Sequence, residues 1–153
     1  MAAVFTDSGV FIAIGSERDD LHEDAVETYD RLIAQKATLV TTNHVVDETC
    51  NWLIYRLADG HRRALQFGGR LRDGMCVIGT SELPAGWHLP HRLVIVYATP
   101  EIERRAWDIF AKYDTARFTF TDCVSFAVMQ MLGINKAFAY DEHFDVMGFE
   151  RLP

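Results

Sequence analysis

Two acidic residues flank one helix-then-strand stretch, Arg117 to Phe144, which reads RFTFTDCVSFAVMQMLGINKAFAYDEHF. Thr121 is a good N-cap residue, and the apolar run Val124, Phe126, Ala127, Val128, Met131 and Leu132, closed by Gly133, predicts a helix with Asp122 on its first turn. Unpaired N–H groups and the positive end of the helix dipole favour a carboxylate there. The run from Lys136 to Tyr140 then has the length and apolar content of a buried parallel strand, and Asp141 stands at its carboxyl end. A third acid, Asp7, ends the short apolar strand Val4, Phe5, Thr6. A fourth, Glu48, sits on a helix expected from His44 to about Ala58, capped by Asn43 and followed by Gly60. Its aliphatic face is Val46, Cys50, Leu53 and Leu57; Glu48 projects nearly opposite, with Trp52 and Tyr55, toward either solvent or a second, partly enclosed cleft, and the two aromatics favour the cleft.

Each acid alone has an ordinary explanation as a helix cap or a turn residue. Together they fall on what should be one edge of a sheet, the edge where open α/β folds build sites. Carboxylates that converge to within about 4–6 Å repel one another and raise each other's pKa unless a cation neutralises them. An all-oxygen donor set selects a hard divalent ion, Mg²⁺ or Mn²⁺, with waters and a substrate phosphate completing the shell.

Elements must place those acids. Ser8 and Gly9 permit a tight turn into a buried helical segment, Val10 to Ile14, that stops around Gly15. A second helix carries the stripe Leu21, Ala25, Tyr29, Leu32, Ile33, and Thr38 to Thr41 reads as the next strand. From His61 to Asp73 the pattern is helical, weakened by Gly68 and Gly69. That helix bears Arg62, Arg63, Arg70 and Arg72, of which Arg63 and Arg70 share a face; it is either a solvated surface or a patch that tracks phosphates. Cys76 to Ile78 and Leu93 to Tyr97 look like strands around a loop with Trp87, His88 and His91, whose paired histidines are assigned no metal role. Thr99 and Pro100 start a helix that buries Ile102, Ala106, Ile109, Phe110 and Tyr113. The order of elements implies an α/β fold with a mostly parallel sheet, and no repeat or linker divides the chain, so one domain over residues 1–153 is expected.

Composition narrows the function. At 49% hydrophobic and 24% charged, the 153 residues can bury a sizeable core, and disorder is excluded. A net charge of −7 rules out nucleic-acid binding through bulk charge, so such a role needs local arginines, bound cations or an accessory protein. Cys50, Cys76 and Cys123 have no metal-ligand spacing and read as buried free thiols of a reducing cytosol. No apolar run is long enough to span a bilayer, and Asp7 interrupts the one N-terminal signal-peptide candidate, so a cytoplasmic protein without membrane contact is expected.

The segments FTDSGVFIAI, VVDETCNWL, FTFTDCVSFAVMQMLGI and AFAYDEHFDVMGFERL together resemble the PIN-domain ribonucleases, in particular the VapC-like toxins of toxin-antitoxin pairs. The resemblance covers nearly the whole chain. It implies a compact three-layer α/β/α sandwich, a homodimer, a cognate antitoxin, and Mg²⁺- or Mn²⁺-dependent endonucleolytic cleavage of RNA. It also implies that Asp7, Glu48, Asp122 and Asp141 are the catalytic, metal-holding quartet, of which Asp7 and Asp122 are taken as the foremost ligands; the shared face of Arg63 and Arg70 on their own helix makes those two the candidate RNA contacts. Asp145 is left as a surface or structural acid. Two departures touch the surroundings of the quartet: Gly9 follows Ser8 where the family often has a second hydroxyl, and Ala139 stands where a Thr or Ser commonly precedes the fourth acid. The segment 74–92 looks longer than its counterpart in typical members, and reads either as an oligomer or partner contact or as a surface loop, the loop being favoured because long insertions cost little. Two other readings fit an α/β domain with clustered acids. A receiver-like phosphoacceptor wants two adjacent acids after its first strand and a Lys after its last, which this chain lacks; the alternative is a non-catalytic PIN-like module that binds RNA or a partner protein.

Overall fold

The computed structural model describes residues 2–78 and 93–153, with side chains for all of these but 72–78. Trp87, His88 and His91 lie outside the described residues. In chain order the elements are β1 (Ala3–Thr6), α1 (Ser8–Gly15), α2 (His22–Ala34), β2 (Thr38–Thr42), α3 (Asn43–Arg56), α4 (Gly60–Gly74), β3 (Met75–Ile78), β4 (Leu93–Val96), α5 (Pro100–Lys112), α6 (Phe120–Leu132), β5 (Lys136–Phe138), α7 (His143–Val146) and β6 (Glu150–Leu152). The six strands form one sheet in the order β3-β4-β2-β1-β5-β6, and every neighbouring pair is parallel.

Side-chain alternation along these strands builds three layers. Phe5, Val40, Val94, Val96 and Ala137 point to one face, where they pack with Val45 of α3, Ile102, Ala106 and Ile109 of α5, and most of α6. Val4, Leu39 and Phe138 point to the other and meet Val10 and Ala13 of α1 and Ala25 and Leu32 of α2. Helix α6 lies between the sheet and α5, so every residue from Asp122 to Met129 is buried. This enclosure explains why its sequence is apolar all round rather than striped. Phe126 at its centre packs against Phe118, Phe144 and Phe149, with ring centroids 5.0, 5.1 and 5.9 Å away.

The expected α/β/α sandwich is present, with several local corrections. Helix α6 is capped by Thr119 rather than Thr121, because the Thr119 hydroxyl accepts the Asp122 N–H at 3.1 Å and begins the helix two residues earlier. Its other end is as expected, with Gly133 in the left-handed conformation at φ 65°. Thr42, not Asn43, caps α3; the Asn43 side-chain oxygen instead accepts the Ala98 N–H at 2.9 Å and ties α3 to the end of β4. Helix α3 stops at Arg56, and Gly60 opens α4 rather than ending α3. A Cβ at Gly60 would overlap the Leu53 carbonyl, so only glycine permits this close approach of the two helices. The buried stripe of α3 is Val45, Thr49 and Leu53, rotated from the aliphatic face expected. On α2, Leu21 and Tyr29 are exposed and Thr28 is buried in their place. On α5, Phe110 is exposed. Strand β5 ends at Phe138, two residues before the expected end, although the Ala139 N–H still bonds to Leu152 O of β6.

Candidate functional site

Strand order decides where the acids go. β1 lies between β2 and β5, so the chain leaves its carboxyl end toward opposite sides of the sheet, and a crevice opens at that switch point. Asp7 is the first residue after β1, and its N–H donates to Phe138 O at 3.1 Å, fastening it to the end of β5. α3 follows β2 without a break, which puts Glu48 on the second turn above the same edge. α6 returns the chain to the start of β5, so it begins at the carboxyl edge with Asp122 on its first turn. Asp141 lies three residues beyond β5 on a short loop. That loop is pinned from both sides: Arg151 donates to Tyr140 O at 3.0 Å, and the Tyr140 hydroxyl donates to Asp24 at 2.9 Å.

The four acids interact electrostatically across this crevice. Asp7 is only 6% exposed, and burial pushes its carboxyl up to about 7; the charges of Asp122, Glu48 and Asp141 add to the shift, and a hydrogen bond from the Ser8 N–H partly opposes it. Burial likewise raises Glu48, with Asp122 and Asp141 contributing, against the Ser8 hydroxyl, which donates to Glu48 Oε2 at 2.7 Å. Asp122 is 4% exposed and works twice, since its Oδ2 accepts the Thr119 N–H at 3.0 Å and closes a capping box. Its two readings, helix cap and site carboxylate, are therefore compatible. Glu48 enters through Ser8 rather than through an aromatic wall, for Tyr55 is 83% exposed.

Two members of the constellation carry no functional assignment from sequence reasoning. Ser8, read there as a turn residue, is the hydroxyl partner of Glu48, so the glycine at position 9 leaves that acid supported. His143 has its Nδ1 at 3.0 Å from Asp122 Oδ2 and 3.3 Å from Asp141 Oδ2. Ligand atoms of Asp122, Asp141 and His143 all lie within 4.8 Å of one another. A signal for His143 exists in its place two residues after Asp141, where a turn brings its N–H onto Asp141 Oδ1 at 2.9 Å. Asp145 pairs with Arg151 at 3.0 Å, the structural role expected of it.

Chemically, the cluster suits a divalent cation. Its donors are carboxylates with a hydroxyl and an imidazole close by, and Asp7 and Glu48, raised chiefly by burial and further by the neighbouring acids, are groups whose charge a bound cation would stabilise. Arg63 and Arg70 are not part of this cluster. They line a cavity of about 380 Å³ with Phe11, Leu53, Phe67 and Leu71, and none of the four acids borders it. Arg63 is held by Asp59 at 2.9 Å and by Gly15 O at 3.1 Å, whereas Arg70 is exposed. No helix among the described residues is long and apolar enough to cross a membrane.

This chain is similar to known proteins along nearly all its length. It is 31% identical over 147 residues to the 23S rRNA-specific endonuclease VapC20 of Mycobacterium tuberculosis, covering 95% of each. It is 27% identical over 146 residues to a VapC ribonuclease of Archaeoglobus fulgidus, covering 94% of this chain and 80% of that one. The crystal structure of Mycobacterium tuberculosis VapC20, described as a sarcin-ricin loop cleaving toxin, superposes with a TM-score of 0.72 at 29% identity and covers 95% of both chains. The PIN domain family model matches residues 4–150, a span that takes in all four acids and the sheet from β1 to β5. With that profile, these relatives and this sheet in agreement, the chain belongs to the PIN domain family.

Proposed function

We propose that the protein is a divalent-metal-dependent endoribonuclease that hydrolyses RNA phosphodiester bonds, as the toxin of a toxin-antitoxin pair. The observation that carries this reading is the buried Asp7, held near neutrality among three other acids contributed by separate elements. A surface that only binds RNA or a partner has no need of an acid destabilised by burial and set among three others, which favours cutting over the non-catalytic module. The family and the endonuclease and ribonuclease relatives support the same conclusion.

On this reading Asp7, Glu48, Asp122 and Asp141 hold Mg²⁺ or Mn²⁺, with Asp7 and Asp122 foremost. When bound, such an ion lowers the pKa of water and stabilises charge on phosphoryl oxygens. Burial of Asp7 and Asp122 fixes their oxygens and excludes bulk water on the inner side. The Ser8 hydroxyl orients Glu48, and Thr119 orients Asp122. Glu48 and Asp141, less buried, stand where water and RNA enter, and Glu48 is the group suited to place the attacking water. Arg63 and Arg70 would follow the RNA backbone away from the cleavage point, Arg70 with the freer side chain. The partners are then RNA, a small cognate antitoxin protein and a second copy of the chain, acting as one domain in the cytoplasm.

The test is RNA cleavage by Asp7→Asn and Asp122→Asn proteins purified alongside the parent. Both should lose Mg²⁺- or Mn²⁺-dependent cleavage while keeping the parent's circular dichroism. Cleavage at the parent rate by both variants would refute the assignment, and loss in the variants also excludes a contaminating nuclease.

A further inference from the structure

His143 stands apart from the four acids in chemistry but not in place. Its backbone is fixed by its neighbour: Phe144 is fully buried, with ring centroids 6.1 Å from Phe5 and 5.1 Å from Phe126. Its ring is fixed separately, edge-on to Phe118 at 5.1 Å. Aromatic packing thus sets where the imidazole points, independently of the carboxylates it meets. Facing two carboxylate oxygens, which offer only lone pairs, Nδ1 is the nitrogen that carries hydrogen. The same residue's backbone N–H donates to Asp141 Oδ1.

We propose that His143 is a positioning residue that clamps Asp122 and Asp141 together: its Nδ1–H donates to Asp122 Oδ2 beside Asp141 Oδ2, while its backbone N–H holds Asp141 Oδ1. The proposal rests on the metal-dependent reading of the site above. Asp122 comes from the first turn of α6 and Asp141 from the loop after β5, so no shared element keeps their mutual repulsion from parting them. A donor set between them offsets that repulsion and leaves Asp122 Oδ1 without a protein partner among the described residues. The histidine therefore supplies geometry, and the carboxylates supply the ligand atoms.

Mn²⁺ binding to the full chain, followed by titration calorimetry and by pulsed electron paramagnetic resonance, tests this. His143→Ala should weaken Mn²⁺ by about 10- to 100-fold, the usual loss when an outer partner of a ligand is removed. Asn places an amide N–H₂ where Nδ1 stood, and Gln places one at the distance of Nε2, so His143→Asn should recover most of the affinity and His143→Gln little. The parent should show no ¹⁴N coupling from a directly bound imidazole. Equal Mn²⁺ affinity in parent and His143→Ala, equal behaviour of the Asn and Gln variants, or a directly bound nitrogen would each overturn the proposal. If the Ala variant does not fold, the Asn and Gln pair decides. RNA cleavage measured in parallel separates the two readings. A parent that shows this order of Mn²⁺ affinities but does not cut RNA defeats the nuclease reading alone; a parent that cuts RNA while all variants bind Mn²⁺ alike defeats the clamp alone.

Discussion

Replacing Asp7 with Asn should make the metal-free protein more stable at slightly alkaline pH while destroying its metal site. In the folded chain the Asp7 carboxyl titrates at about 7, against 3.8 for the unperturbed group, chiefly because burial disfavours its charge. Between those two values the folded protein keeps a proton that the unfolded chain has already released, so raising the pH through this window costs stability, and the loss levels off above it. A shift of roughly three units at about 1.4 kcal/mol each gives a cost of about 4 kcal/mol for ionised Asp7 above the window. Asn imitates the protonated acid and avoids that cost. In a chelator, urea unfolding at about pH 8 should therefore show the variant more stable by up to ~4 kcal/mol, a midpoint shift of about 2 M for a slope near 2 kcal/mol/M. At about pH 4, the lower end of the window, the two proteins should nearly coincide. Glu48, raised for the same reason, leaves a smaller slope of the same sign in the variant. Added Mn²⁺ should then stabilise the parent at alkaline pH and leave the variant unmoved. A parent whose metal-free stability rises with pH across this window, or a variant no more stable than the parent above it, would refute the reasoning.

Removing the Ser8 hydroxyl (Ser8→Ala) takes away the donor that holds Glu48 Oε2, so the Glu48 carboxyl should titrate still higher by NMR and Mn²⁺ affinity should fall about tenfold. Gly60→Ala drives a methyl group into the Leu53 carbonyl and should cost about 1–3 kcal/mol of thermal stability while leaving Mn²⁺ binding by the folded protein unchanged.

Most of the fold was legible because its signals are local. A short apolar run ending in an acid, a Pro after a capping Thr at residue 99, and a Gly closing an apolar helix at 133 each declare an element without help from the rest of the chain. Readings failed where two local signals competed. Thr119 and Thr121 are both good caps, and the helix takes the one that also lets Asp122 at the third position reach back to the cap N–H. Thr42 and Asn43 compete in the same way, and Asn43 is diverted to Ala98, fifty-five residues away. Tyr29 and Leu21 fit a core stripe by spacing but end up exposed, because spacing does not tell how much of a stripe the facing layer covers.

The sequence by itself determined the four acids, the elements they sit on, and the rule that parallel strands bring their carboxyl ends to one edge. Only the tertiary structure decided that β1 lies between β2 and β5, and it is this order that sets Asp7 beside the other three in a buried crevice, where burial first and their charges second lift its carboxyl to about 7. Contacts of long range, such as Ser8 with Glu48 and His143 with Asp122, arise from elements distant in the chain. Local patterning reports which way a residue's own helix or strand turns it; who stands across the crevice depends on how separate elements pack, and no short window of residues encodes that.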